Sequence, residues 1–174
     1  MNEIQKKFLI FIPSYNVEKK IYSVIQRIPK SIFSNDITIL IINDNSNDNT
    51  DGEIKKIFEN FNYKFDLIKS DKQLGYGGTQ KIAFKYAIKK NFDYIIMLHG
   101  DGQYAPEEIP NFIKEYNDNT LDAVFGSRMM SYRSALKGGM PIYKFVGNII
   151  LTFVQNLILR SKISEFHSGY RSFK

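Results

Sequence analysis

The chain has no cysteine, which excludes a disulfide scaffold, a thiolate metal site and cysteine catalysis together and fits a cytoplasmic or cytoplasm-facing setting. Other absences narrow the reading further. The opening "MNEIQKKFLIFIPSYN" lacks the apolar stretch and small-residue cleavage site of a signal peptide. Its glycine-rich "LGYGGTQK" is not followed by Gly-Lys-Ser/Thr, so there is no P-loop, and no dinucleotide fingerprint follows the first strand. No basic helix with interleaved aromatics is found, which speaks against nucleic acid. Repeats, low-complexity tracts and linkers are also missing. Acid is scarce in one place: residues 1–125 hold 16 Lys or Arg against 17 Asp or Glu, whereas residues 126–174 hold 8 against Glu165 alone. A basic segment of that kind suits an anionic partner, a phosphate group, a membrane surface or nucleic acid, or is simply solvated.

What is present is a chain of 174 residues, 43% hydrophobic and 14% aromatic, enough to fold as one domain with a substantial core. Short β-branched runs, "FLIFIPSY", "ITILIIND", "FDLIKS", "YIIMLHG" and "AVFGSR", read as strands. The amphipathic stretches "VEKKIYSVIQRI", "DGEIKKIFENF", "GGTQKIAFKYAIKK" and "PEEIPNFIKEYN" read as helices between them. Alternation of this kind predicts an α/β fold with a mostly parallel sheet flanked by helices. Pro106 and the Glu pair after it suit a first helical turn. Between Lys144 and Arg160 almost everything is apolar, yet this interval is about three quarters of a membrane span. It reads as an amphipathic helix at a bilayer surface or as a core helix. The chain stops after "SGYRSFK" without a tail, which suits the catalytic part of a longer protein.

In an open parallel sheet, ligands bind beyond the carboxyl ends of the strands. Each of the five strand runs ends in a polar or glycine-rich loop: "PSYN", "NDNSNDNTDG", "SDKQLGYGGTQK", "HGDGQ" and "GSR". One cleft is the economical explanation. Asp44 follows four apolar residues and an Asn; it either accepts hydrogen bonds from a base or ribose or forms a turn and caps the next helix. Gly75 and Gly77 let backbone approach a ligand at a helix start near Lys81, or mark a tight turn. In an extended "HGDGQ", His99, Asp101 and Gln103 face one side, a donor set for a divalent ion with open positions, Mn²⁺ more comfortably than Mg²⁺. Such an ion would neutralise a diphosphate leaving group. The alternative is a polar turn with Asp101 capping the helix that starts at Pro106.

In this order, "IPSYN", "INDNSNDNT", "LGYGGTQK", "HGDGQ", "GSR" and "SGYRSF" resemble glycosyltransferase family 2, and within it the polyprenyl- or dolichyl-phosphate sugar transferases, through essentially the whole chain. The resemblance implies a GT-A fold, a nucleotide-sugar donor and a divalent cation. By position, Pro13, Tyr15 and Glu18 would line the nucleotide pocket, Asp44 would hold the base or ribose, and Asp101 and Gln103 the metal. Two positions depart from the pattern: Asn43 stands where the first of two acids is common, and His99 where the first acid of Asp-x-Asp is expected.

Transfer to a sugar hydroxyl needs a base, and no clear Asp offers itself; the candidates are Glu165 and His167. A lipid phosphate is already largely dianionic at neutral pH and needs cations instead. Arg128, Arg133, Lys137 and Arg171 lie in the basic segment for that purpose, with Arg128 and Arg171 joining Asp101 as the catalytic set. The expectation is therefore an inverting transferase moving a hexose from a UDP- or GDP-sugar to a polyprenyl phosphate at the cytoplasmic membrane face. On this reading residues 1–125 form the nucleotide-sugar part of the single domain and 126–174 the acceptor- and membrane-facing part. The rival readings are a hydroxyl-acceptor transferase of surface polysaccharide synthesis and a non-catalytic donor-binding scaffold.

Overall fold

A computed structural model describes residues 6–34, 36–117, 120–127, 129 and 141–174. They form two compact units, one of Met1–Val124 with Arg171–Lys174 and one of Phe125–Tyr170. Of the expected site residues, Arg128, Arg133 and Lys137 lie outside the described residues.

The first unit is built on a six-stranded sheet in the order β3-β2-β1-β4-β6-β5. Strands β1 (Lys7–Ser14), β2 (Asp36–Asn43), β3 (Phe65–Lys69) and β4 (Tyr94–Met97) run parallel, with β1 between β2 and β4. Strands β1 and β2 are buried almost end to end, because helices cover both faces of a parallel sheet; that is why they read as continuous apolar runs rather than alternating ones. Helix α2 (Thr50–Asn60) buries Thr50, Ile54 and Ile57. Helix α3 (Gly75–Lys89) buries Thr79, Ala83 and Ala87, small residues at one-turn spacing that bring it close to the sheet. Ala83 and Ala87 join Leu9, Phe11, Leu40, Ile42, Ile95 and Met97 in one core cluster.

The expected α/β architecture is the observed one, with three differences that have physical causes. Helix α1 covers only Ile21–Gln26 instead of beginning near Val17, because residues 17–20 form a turn held by Val17 O and by the loop after β2. The stretch from Pro106 is a 3-10 turn, Pro106–Glu108, followed by α4, Ile109–Glu115; Pro110 is tolerated only in a first helical turn, so the α-helix starts just before it. A strand the sequence reading did not contain, β6 (Arg171–Phe173), pairs antiparallel with β4 and lies between it and β5 (Ala123–Phe125). It is held by the 2.8 Å Tyr116–Ser172 hydroxyl contact and by edge-on packing of Phe173 on Phe84.

In the second unit the dominant element is α5, Ile142–Leu159, an 18-residue helix long and apolar enough to cross a membrane by length and composition. This corrects the shorter Lys144–Arg160 interval, since the helix starts directly after Pro141. Beyond α5, Tyr170 O accepts from Gly126 N–H at 2.8 Å and Ser127 Oγ from Ser164 Oγ at 2.9 Å. Glu165, Ser168 and Tyr170 are buried there.

Candidate active site at the strand ends

Chain order reverses around β1, with β2 and β3 on one side and β4 on the other, and the crevice opens where the loops diverge. The cleft there has a volume of about 220 Å³. Pro13, Ser14, Tyr15 and Val17 line it from the end of β1, Asp44 from β2, Gln73, Gly75, Tyr76 and Thr79 from the start of α3, and His99, Gly100 and Asp101 from β4. The two central strands approach closely: a Cβ on Gly100 would stand 3.1 Å from Ser14 Oγ and 3.2 Å from the Pro13 carbonyl oxygen. A side chain at 100 would therefore push the ends of β1 and β4 apart by a few tenths of an ångström.

Asp44 is only 3% exposed, and its two oxygens accept the Leu74 and Gly75 backbone N–H groups at 2.8 Å each. A buried carboxylate is thus compensated by two charge-assisted hydrogen bonds, and it ties the strand end to the first turn of α3. Asp44 thus lines the cleft and anchors α3; the expected cap on the next helix, α2, is not formed, since the carboxylate is spent on the Leu74 and Gly75 N–H groups. Asn43 is a second hub. Its Nδ2 donates to Asp51 Oδ1 at 2.6 Å, and its Oδ1 accepts from Ser46 N and Oγ at 3.1 and 2.7 Å. Lys69 Nζ reaches Asp51 from the other side at 2.8 Å, and the Lys69 and Asn43 hydrogen bonds together hold the Asp51 carboxyl below the usual range.

The loops after β1 and β2 are zipped together. Ser46 Oγ accepts from Asn16 N and Asn16 Oδ1 from Asn47 N, at 3.0 and 2.8 Å. Asp48 Oδ2 accepts from Glu18 N and Glu18 Oε2 from Asn49 N, at 3.0 and 2.9 Å. Asn16 and Asn45 adopt φ of 52° and 57°, a left-handed conformation that asparagine tolerates better than most side chains. The Glu18 carboxylate is engaged in this zipper and does not line the cleft.

The segment "HGDGQ" is not extended. β4 ends at Met97, Gly102 has φ +73°, and Asp101 Oδ1 accepts from Gln103 N–H at 3.0 Å. This corrects the expected one-sided array, because a left-handed Gly102 and a two-residue side-chain turn break the alternation. The His99 ring packs between those of Tyr76 and Tyr104, with centroids 5.3 and 5.0 Å away. Asp101 is exposed at the lip of the cleft, and Gln103 is exposed beyond it. Among the described residues no three His, Cys, Asp or Glu side chains converge. The donor set fits a hard divalent cation of the open kind, for which the protein supplies one carboxylate and takes the remaining oxygens from water and ligand.

Of the other expected residues, Gly77 and Lys81 sit on α3 outside the cleft lining. Arg171 stands opposite Met97 in the β4–β6 register. It is close enough to Tyr76 for its charge to oppose the rise that burial imposes on the Tyr76 hydroxyl. The sequence reading missed Ser14, Gln73, Tyr76, Thr79 and Gly100. Tyr76 carried the best available signal, a large aromatic set between two glycines at a helix start.

A helix-flanked, mostly parallel sheet with a cleft at its chain reversal defines an α/β protein of the GT-A form. The chain belongs to glycosyl transferase family 2, whose model matches residues 9–174, and it is a glycosyltransferase. It is 30% identical over 179 residues to the UDP-N-acetylglucosamine–dolichyl-phosphate N-acetylglucosaminyltransferase of Methanococcus voltae, an alignment that takes in 97% of this chain and 69% of that one. Among solved structures it is similar to the glucosyl-3-phosphoglycerate synthase of Mycobacterium tuberculosis in complex with Mn²⁺, UDP and phosphoglyceric acid. That likeness has a TM-score of 0.63 at 13% identity and covers 97% of this chain and 56% of the other. A mannosyltransferase from Pyrobaculum calidifontis in complex with GDP-Man and Mn²⁺ matches with a TM-score of 0.60 at 17% identity, over 71% of this chain and 36% of that one.

Proposed function

We propose that the chain is the catalytic part of an inverting glycosyltransferase that moves a hexose from UDP- or GDP-hexose to a polyprenyl phosphate, dolichyl or undecaprenyl, at the cytoplasmic face of a membrane. The donor occupies the β1–β4 cleft. Pro13 and Tyr15 flank the nucleoside, Asp44 with the Gly75 turn receives the base or ribose, and Asp101 faces the diphosphate. When bound, a divalent cation, Mn²⁺ or Mg²⁺, neutralises the leaving diphosphate, with Asp101 as its protein ligand and Gln103 within the same turn. His99 supports that turn from its place between two tyrosines. The phosphate oxygen of the acceptor forms the new bond to the anomeric carbon as the bond to the donor diphosphate breaks on the opposite face. Arg171 holds the acceptor phosphate, with Arg128, Arg133 and Lys137 as further cations of the same segment.

The observation that carries the acceptor assignment is the burial of Glu165, 3% exposed. The only acid of the basic segment is withdrawn from solvent, and a phosphate nucleophile is the acceptor that needs no base. The name of the M. voltae relative agrees with this choice. Incubation with UDP- and GDP-hexoses, Mn²⁺ and either polyprenyl phosphate or free sugars tests it. A lipid-linked hexose is the expected product. Transfer to sugar hydroxyls only would reverse the acceptor and turn attention to the exposed His167, and donor binding without any product would make the protein a scaffold.

A further inference from the structure

Helix α5 is amphipathic in the inverted sense. Asn148, Thr152, Gln155 and Asn156 recur at i, i+4, i+7 and i+8, which places them on one stripe. That polar stripe is the less exposed one, with Thr152 at 9%. On the opposite stripe Tyr143, Ile150 and Leu157 are 73%, 57% and 70% exposed, and Val146, Val154 and Ile158 stand beside them in the open. A helix of a water-soluble protein does the reverse, and a continuous apolar stripe of this length marks an interaction surface.

We propose that α5 lies flat in the interfacial zone of an anionic lipid bilayer, its Tyr143–Ile150–Leu157 stripe in the acyl region and its Asn148–Thr152–Gln155 stripe turned away from the lipid. The inference deepens the membrane-face reading above and rests on it for the choice of lipid as occupant. Three observations specify this arrangement. Charge selects an anionic surface, since Lys144 in the first turn and Arg160 and Lys162 just past the last lie in a segment with one acid against eight bases. A second copy of the chain would bring the same positive flanks and repel them. Spanning is disfavoured by polarity: the 18-residue helix, about 27 Å long, would carry Asn148, Gln155 and Asn156 into hydrocarbon. Finally, the helix does not continue along its axis. Arg160 turns left-handed at φ 50°, and the Asn156 side chain locks that exit by accepting from Ser161 Oγ and Ile163 N–H at 2.8 and 2.9 Å and donating to Ile163 O at 2.8 Å.

The chain has no tryptophan, so Tyr143→Trp, Ile150→Trp and Leu157→Trp each create a unique probe on the exposed stripe, roughly 21 Å apart from first to last along the axis. Each variant is mixed with phosphatidylcholine vesicles, with or without phosphatidylglycerol, whose acyl chains are brominated at defined depths. The expected result is blue-shifted emission with the same shallow quenching depth at all three positions, and at least tenfold tighter binding to the anionic vesicles that weakens with salt. A markedly deeper Ile150→Trp than its neighbours would mean a spanning helix and overturn the proposal. So would emission unchanged by any vesicle, or a concentration-dependent dimer that hides the probes. The vesicles contain no polyprenyl phosphate, and donor binding is measured on the same samples by calorimetry with Mn²⁺. Equal shallow depths in a protein that does not glycosylate lipid would sink the acceptor reading and leave this one standing, whereas unequal depths with intact transfer would do the opposite.

Discussion

Asn43 and Asp51 meet through a 2.6 Å hydrogen bond in which the amide donates and the carboxylate accepts. The same amide group holds Ser46, which in turn holds the loop of Asn16 beside the cleft. An acid at 43 cannot donate, so the Asn found there is the partner that the Asp51 carboxylate requires. Asn43→Asp is expected to destabilise the protein by about 1–3 kcal/mol, since two carboxylates then face each other and one must take up a proton or lose its partner. Adding Asp51→Asn restores a donor opposite an acceptor and recovers most of the loss, because the exposed Lys69 pair given up is worth little. Urea unfolding of both single variants and the double variant checks this; strictly additive effects would show that the pair is not coupled.

Asp44→Ala removes both acceptors from the Leu74 and Gly75 N–H groups. It is predicted to weaken donor binding by roughly 1 to 3 kcal/mol and to lower the melting temperature as well, since the first turn of α3 loses its anchor. Calorimetry with the donor and a thermal melt give the two readings. A melt unchanged beside weakened donor binding would reduce Asp44 to a pure ligand contact, and unchanged donor binding would reduce it to an anchor.

Asp101→Asn keeps the amide oxygen that the Gln103 N–H needs, so the turn and the fold survive while the charge facing the cation and diphosphate is lost. Transfer is expected to fall by on the order of a hundredfold or more, with the circular dichroism spectrum unaltered and Mn²⁺-dependent donor binding weakened. Turnover close to that of the unmodified protein would remove Asp101 from the metal site.

Arg171→Ala is expected to raise the acceptor KM well above any change in the donor KM. Its strand places it at the carboxyl end of β4, beside the cleft but in the basic segment whose charge suits a lipid phosphate. Equal effects on both substrates would put this guanidinium on the leaving diphosphate instead.

Acid should remove a modest part of the stability through identifiable carboxylates, modest because the Lys69–Asp51 and Arg27–Glu107 pairs are half exposed. Lys69 and Asn43 hold Asp51 below its ordinary value, Arg27 does so for Glu107, and for Asp48 the Thr50 hydroxyl and the neighbouring backbone N–H groups outweigh the upward pull of burial. Each is lower in the folded state than in the unfolded one. Their contribution is therefore full above pH about 4, the ordinary carboxylate value, and is lost as pH falls below it through the folded values. Melting temperature should be flat on this account between pH 7 and 5 and drop below 4. Combining Asp51→Asn with Glu107→Gln should flatten that drop, and an unchanged slope would assign it to other groups.

Much of this protein was legible as a linear pattern. Buried parallel strands must be apolar on both faces, so β1, β2 and β4 announce themselves. Ligand loops collect at their carboxyl ends, so Pro13, Tyr15, Asp44, His99 and Asp101 could be placed around one cleft. Local rules failed where a contact distant in the chain set the outcome. Three residues, Arg171–Phe173, carry no strand signal of their own and pair with β4 only because Tyr116 and Phe84 receive Ser172 and Phe173. Alternation predicted one face for His99, Asp101 and Gln103, but Gly102 turns the chain between them. The contact between the Glu18 carboxylate and the Asn49 N–H of another loop was likewise invisible in the sequence. The sequence by itself determined which residues had to be buried and where the polar loops gather, since burial and periodicity are properties of neighbours in the chain. Only the tertiary structure decided which polar side chains meet, and which stripe of α5 is left open, because those depend on how segments far apart in the chain are brought together.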